Sequence, residues 1–264
     1  VSDVAGGATV LEARNVGMTF NAGTPRAVEA FRDISFSLRP QETLAIVGPS
    51  GCGKSTLFNC IAGLLKPTVG AIYLAGERVD EAKGHVGYML QKDLLLPWRT
   101  VVENVVLGLE VRGTPRRRAT ERAHELIKAY GLAGFESARP ARLSGGMRQR
   151  VAFMRTLALD PDVILLDEPF SALDFQTRLL LQTETMSIIH AQRKSAILVT
   201  HDIGEAITMA DRIIVMTHRP ARVLAVHDVS LGAGERDPVA IRENPAFNEC
   251  FKQIWSELGA KVSA

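Results

Sequence analysis

The chain has 264 residues, with 31 Lys and Arg against 29 Asp and Glu, a net charge of +2. Hydrophobic residues make up 46% and charged residues 23%, proportions of an ordinary globular protein that exclude a disordered, collagen-like or coiled-coil chain. So small a net charge gives no case for a nucleic-acid partner, and three cysteines (Cys52, Cys60 and Cys250) cannot staple a disulfide framework.

In chain order, Ile34–Leu38 alternates apolar and polar residues, as a half-buried antiparallel strand does. Thr43–Val47 is nearly all apolar, the pattern of a central parallel strand covered on both faces. Ala71–Ala75, followed by Gly76 and Glu77, reads as a strand entering a hairpin. Residues 93–158 change character and become helical. Thr114-Pro115 predicts a helix start, with Thr as cap and Pro at the first helical position, and Gly131 suits the stop. A second helix is predicted from Gly145 to about Leu159, with Pro161 beyond its end. Val163–Leu166, Ala196–Val199 and Ile213–Met216 are three more apolar runs, so the core is predicted to be α/β with a helical subdomain inserted. After about residue 219 only a loop and a last helix near Val239–Leu258 are legible, without a recognisable task. No run approaches the ~18 apolar residues of a membrane span, and the N-terminus lacks the pattern of a secretory signal. These features predict a soluble cytosolic chain, and its opening at Val1 points to a short leader outside the sequence.

The segment GPSGCGKST at 48–56 follows an apolar strand and opens an apolar-periodic helix, matching GxxxxGK[ST] at Gly48, Gly53, Lys54 and Ser55. Glycines let several backbone N–H groups turn inward on one anion, so Gly48, Pro49, Ser50, Gly51, Cys52 and Gly53 read as a phosphate cradle. Helix dipoles favour the same charge by ~0.3–2 kcal/mol. Lys54 is expected on the β- and γ-phosphates of ATP, Ser55 on Mg²⁺ and Thr56 on the α-phosphate. Cys52 reads as a small loop residue, since no second Cys stands at a redox spacing. In VILLDEP at 163–169, an apolar strand delivers Asp167 to the hydrated Mg²⁺, and Glu168 beside it is placed to accept a proton from attacking water.

LSGGM at 143–147, continuing as RQR at 148–150, carries a resemblance that covers nearly all of residues 10–218. The chain resembles the ATP-binding subunit of ABC transporters. The resemblance implies a P-loop NTPase (RecA-like) α/β core with a parallel sheet, an N-terminal antiparallel β subdomain and an inserted α-helical subdomain at about 93–158. Residues 10–218 would form the cassette, and 219–264 a C-terminal loop and helix. By the same resemblance Phe20 stands where the family stacks an aromatic, more often Tyr, on adenine. Gln91 in YMLQKD resembles the glutamine that contacts Mg²⁺ and water. Ser171–Asp174 looks like the D-loop, with Asp174 at the nucleotide, and His201 in LVTHD like the switch histidine on the γ-phosphate.

Ser144 would cap a helix whose Gly145 and Gly146 leave N–H groups bare, a second anion site far from the first in sequence. One chain holding one ATP has no use for two such helix ends, whereas two chains arranged head to tail do. LLLPWRTVVENVVLGLE at 94–110 is similar to importers of nitrate, alkanesulfonates and taurine, with Pro97 and Trp98 near the permease's docking groove or, alternatively, packing the helical subdomain. The implied function is ATP hydrolysis driving solute import. The implied partners are a second copy, a transmembrane permease and, indirectly, a periplasmic or lipid-anchored binding protein. No nucleic acid is expected. The implied place is the cytoplasmic face of the inner membrane, peripherally. Competing readings are an ABC ATPase without a permease, acting in DNA repair, translation or cofactor assembly, and a P-loop kinase. Arg116–Arg118 reads as a solvated helix start.

Overall fold

The structure, a computed structural model, describes residues 9–81, 86–230 and 240–259. In chain order its strands are β1 (Leu11–Phe20), β2 (Val28–Leu38), β3 (Thr43–Val47), β4 (Val69–Leu74), β5 (Glu77–Arg78), β6 (Val86–Met89), β7 (Val163–Asp167), β8 (Ser195–Thr200), β9 (Arg212–Met216) and β10 (Val223–Asp228). The helices are α1 (Lys54–Ile61), α2 (Val101–Val105), α3 (Leu107–Val111), α4 (Arg116–Ala129), α5 (Gly145–Leu157), α6 (Phe175–Ala191), α7 (Ile203–Met209), α8 (Ala240–Glu243) and α9 (Pro245–Gly259). The chain divides into two compact units, residues 1–83 with 182–264, and residues 84–181.

In the first unit β3 is buried along its whole length and pairs in parallel with β8 on one side and β9 on the other. Both neighbours are equally buried, which accounts for their unbroken apolar runs. At the starting end of these strands, Arg212 of β9 forms a buried ion pair with Glu42 (Nε–Oε1 3.0 Å), and Asp211 Oδ2 accepts the Thr43 N–H at 2.8 Å. That end is pinned, and the opposite end carries the loops. A second, antiparallel sheet has the order β2-β1-β4-β5, and its β4–β5 hairpin is the one the sequence predicts.

Strand β1 has no counterpart among the sequence expectations. Its alternation breaks at Arg14-Asn15, where Asn15 takes φ 49° and the register with both neighbours shifts. Gly70 of β4 fills the gap opposite. The segment after 219 is also richer than expected. β10 pairs antiparallel with β9, and Ala221 exchanges backbone hydrogen bonds with Ala30 and Arg32. The single last helix is in fact two, α8 and α9, because Asn244 Oδ1 accepts the Ala246 N–H (3.0 Å) and Pro245 opens α9. The expected starting residue Val239 lies outside the described residues.

In the second unit β6 and β7 run parallel, and helices α2 to α5 follow the apolar spacing of the sequence. Ala119, Ala123, Leu126 and Ile127 form the buried face of α4. That helix starts one residue later than expected. Pro115, with ψ 130°, remains extended and stands at the N-cap, so Thr114 does not cap it. Gly131, at φ 67°, follows its last turn. α5 ends at Leu157, two residues before the expected Leu159.

Gly70 provides a test of the β1 irregularity. It sits at φ +75°, and an added Cβ would overlap the carbonyl oxygens of Arg14 and Asn15, whereas at Gly76 (φ +83°) a Cβ meets open space. Gly70→Ala should cost ~2–4 kcal/mol, and Gly76→Ala only ~1 kcal/mol from the left-handed backbone. Urea unfolding of both variants checks the difference.

Candidate functional site

In the first unit the pairing Val47↔Thr200 makes Gly48 and His201 the first residues beyond two adjacent parallel strands. The register thus brings the glycine loop and the exposed His201 to one edge, the carboxyl end where α/β sheets place ligands. Gly51 and Gly53 take φ 74° and 118°, curling the loop into the start of α1 at Lys54. No side chain caps that start, so its first-turn N–H groups suit an anion. Lys54 is 6% exposed, and its ammonium donates to the carbonyls of Gly48 (2.8 Å) and Pro49 (3.0 Å). A buried cation with loop carbonyls folded around it is a preformed cradle. Ser50 and Ser55 are exposed and Thr56 half-buried. Phe20, at the end of β1, leaves 37% of its surface open.

Cys52 packs inside the loop. A Cβ on Gly48 would lie 3.2 Å from its sulfur and 3.1 Å from Met216 Cβ, so the loop is wedged against the end of β9. Burial pushes the Cys52 thiol pKa up, and the Lys54 charge opposes this only in part.

In the second unit the parallel pairing Met89↔Leu166 sets Gln91 and Glu168 each two residues beyond that pair. Gln91 Nε2 donates to Glu168 Oε2 at 3.1 Å. Glu168 takes φ 45°, a left-handed conformation that a glutamate adopts only at a cost of ~1–2 kcal/mol. This turn swings its carboxylate away from the strand line followed by Asp167. Asp167 is 6% exposed, and Tyr88 Oη donates to its Oδ2 at 3.3 Å. Burial, then the Asp167 charge, raises the Tyr88 pKa, so the phenol keeps its proton and stays a donor. Asp167 and Gln91 offer carboxylate and amide oxygens here, as Ser55 offers a hydroxyl in the first unit, and each is a hard donor of the kind that suits Mg²⁺ and not soft metals. Among the described residues no group of three or more His, Cys, Asp and Glu forms a metal site of its own, and Mg²⁺ needs none where phosphates complete its shell.

Also in this unit, exposed Ser144 caps α5 by accepting the Met147 N–H at 3.3 Å, with Gly145 and Gly146 half-buried behind it. Gly146 is held tightly, since a Cβ there would come within 2.9 Å of Thr177 Cγ2. Asp174 accepts the Thr177 N–H at 3.0 Å, which lowers its pKa, so its carboxylate caps α6. Trp98 is 67% exposed and Pro97 also lies in solvent, so neither anchors the helices. Their turn is held by fully buried Asn104, whose amide donates to the carbonyls of Leu96, Arg99 and Thr100 while its Oδ1 accepts the Leu96 N–H.

Sequence reasoning missed Tyr88 and Asn104. Tyr88 carries a signal only once β6 and β7 are paired, because the register then sets it beside Leu165, two residues before Asp167. Asn104, the one polar position in the Val101–Val106 run besides Glu103, reads equally well as solvent-facing. The fate of Cys52 is testable. A raised pKa leaves less thiolate at pH 8 than in free cysteine, and burial blocks access. Alkylation of Cys52 by iodoacetamide at pH 8 should run at least about tenfold slower than for free cysteine and rise as pH increases further. Peptide mapping by mass spectrometry reads the rate.

A sequence profile of the ABC transporter family matches residues 31–171. Taurine import ATP-binding protein TauB of Rhizobium johnstonii (strain DSM 114642 / LMG 32736 / 3841) is 41% identical over 252 residues, covering 94% of this chain and 96% of that one. YtlC of Bacillus subtilis (strain 168), an uncharacterized ABC transporter ATP-binding protein, is 42% identical over 231 residues, 88% of this chain and 89% of its own. Among solved structures, the dimeric bacterial ABC transporter cassette MJ0796 aligns with TM-score 0.73 and 31% identity over 83% of this chain and 98% of that one. The same cassette, dimeric in a post-hydrolysis state with ADP and Pi, aligns with TM-score 0.69 and 31% identity over 81% of this chain and 99% of that one. Together with the strand-end loop at Lys54 and the carboxylates at 167 and 168, these likenesses leave one family: the chain belongs to the ABC transporters, as an ATP-binding subunit that hydrolyses ATP.

Proposed function

We propose that this ATPase powers the import of a small organic anion of the sulfonate type through a separate membrane permease, working as a head-to-tail pair at the cytoplasmic face of the membrane. Several relatives at 38–44% identity are named for taurine import, which supports the substrate class. A dimeric cassette among the similar structures supports the pairing. Among the described residues no helix is long and apolar enough to cross a membrane, so translocation falls to other chains in this reading.

The observation that carries the chemistry is the hydrogen bond of Gln91 to Glu168 at 3.1 Å, ahead of a strained backbone that turns the carboxylate outward. In this reading Phe20 stacks on the adenine, and the N–H groups of residues 48–56 hold the phosphates. Lys54 leaves its carbonyl partners for the β- and γ-phosphates. Glu168 takes a proton from the attacking water while Gln91 orients both. His201 steadies the γ-phosphate and the transition-state charge that follows. Ser55, Asp167 and Gln91 would hold Mg²⁺, which when bound offsets negative charge between the terminal phosphates. Ser144, Gly145 and Gly146 cap the γ-phosphate held by the partner copy, and Asp174, engaged as a helix cap, fixes the shape of the loop beside it. Loss of the γ-phosphate removes the bridge and opens the pair, a ligand-driven population shift that moves the permease.

Replacing Glu168 by Gln removes the base while keeping size and a hydrogen bond to Gln91. Turnover should fall about 10²–10⁴-fold with ATP binding retained, and a dimer carrying ATP should accumulate in size-exclusion chromatography. Near-normal turnover would remove Glu168 from the base role. Co-purification of the wild-type chain with an integral membrane protein tests the transport assignment separately.

A further inference from the structure

Helices α8 and α9 have no part in the chemistry above, yet they lie in the first unit against the helix that follows His201. All seven residues of α7 are buried, and its first turn is bound into the backbone on both sides of the histidine. Thr200 Oγ1 accepts the Asp202 N–H at 3.0 Å and donates to Glu205, while Asp202 Oδ1 accepts the Glu205 N–H at 3.1 Å. His201 is the one residue between these anchors, so its backbone goes where the first turn of α7 goes. Gln182 of α6 also holds that turn, donating to Glu205 Oε1 at 3.3 Å. The C-terminal helices close on it as well. A Cβ on Gly204 would lie 3.2 Å from Asp202 Oδ1, 3.6 Å from Arg242 Nη2 and 3.7 Å from Phe247 Cζ.

Gly204 thus leaves room for three neighbours at once: the cap residue of α7, a half-buried cation from α8 and a buried ring from α9. Phe247 is backed by Phe251, which stacks on it with ring centroids 6.2 Å apart, and Ile254 further along α9 is fully buried. The far end of the helix is tied to β10, where His227 Nε2 lies 2.8 Å from Glu257 Oε2. α9 is therefore fixed near both ends, as a strap across α7. We infer that Arg242 and Phe247 are positioning residues for His201, acting through Gly204 and Asp202 on the turn that carries the imidazole. This rests on the proposed role of His201 at the γ-phosphate. The glycine loop holds most of the nucleotide, so ATP stays bound when His201 shifts. Turnover does not tolerate such a shift, since a misplacement of about 1 Å can cost about 10²-fold in rate.

The test uses the full chain and reads kcat for ATP, equilibrium ATP binding and thermal unfolding on each variant. Phe247→Ala removes the ring and should lower kcat about three- to tenfold, while the dissociation constant for ATP stays within about twofold of wild type. Phe247→Leu refills most of the space and should recover most of the lost kcat. Gly204→Ala separates position from stability, because alanine favours a helix over glycine while its Cβ crowds Asp202 Oδ1. It should show the same split between kcat and binding without the drop in melting temperature expected of Phe247→Ala. A role in folding alone would lower melting temperature, binding and turnover together. If Phe247→Ala does not fold, Gly204→Ala and Arg242→Gln carry the measurement. Wild-type kcat in folded Phe247→Ala or in Gly204→Ala, or ATP binding that weakens in step with kcat, overturns the inference. Wild-type kcat in His201→Ala would instead overturn the proposed role of His201, so the two failures are distinguishable.

Discussion

Parallel strand register is the constraint from which the site follows. In a parallel ladder, residues level with each other stay level at the strand ends, so a fixed offset beyond each strand places two loops side by side. Val47 opposite Thr200 makes neighbours of the glycine loop and His201. Met89 opposite Leu166 does the same for Gln91 and Glu168. Slipping either pairing by one residue would turn every buried side chain of these short strands to the opposite face. The apolar runs that bury the strands therefore also set the alignment of the polar residues just past them. The Arg212–Glu42 pair and the Asp211 bond to Thr43 pin the opposite end of the first of these sheets.

The polar residues at the strand ends are held in conformations that a core would not choose. Glu168 sits in the left-handed region, Lys54 is buried with loop carbonyls around it, and the start of α1 has no capping side chain. Each departs from local preference in a way that suits an anion or a water molecule. The surrounding packing is firm enough to keep them there, as the wedge of Cys52 and Met216 against Gly48 illustrates. Local cost and surrounding rigidity are complementary here: without the second, the first would relax away.

The four buried parallel strands were legible in the sequence because a strand covered on both faces needs no alternation to be recognised. The phosphate loop and the cap at Ser144 were legible because glycine spacing and a hydroxyl before a helix have direct mechanical meanings. β1 was not, since the irregularity at Asn15 erases the period of two on which such reading depends. β10 was missed because it is a half-buried edge strand, and the last helix read as continuous because Asn244-Pro245 interrupts an apolar period without changing it. The roles of Tyr88 and Asn104 rest on a contact with a distant residue and on carbonyls that no side-chain pattern records. Thr114-Pro115 reads as a cap and first helical residue, yet the extended backbone of Pro115 sets the boundary one residue later.

The full satisfaction of the buried Asn104 amide bears on how the exposed indole of Trp98 meets another molecule. A turn whose carbonyls are already locked to one side chain has little conformational freedom left to surrender on contact. Its aromatic tip therefore behaves as a rigid peg and not as a flexible arm. A complementary socket would have to match its position from the outset, so tolerance for altered sockets is low.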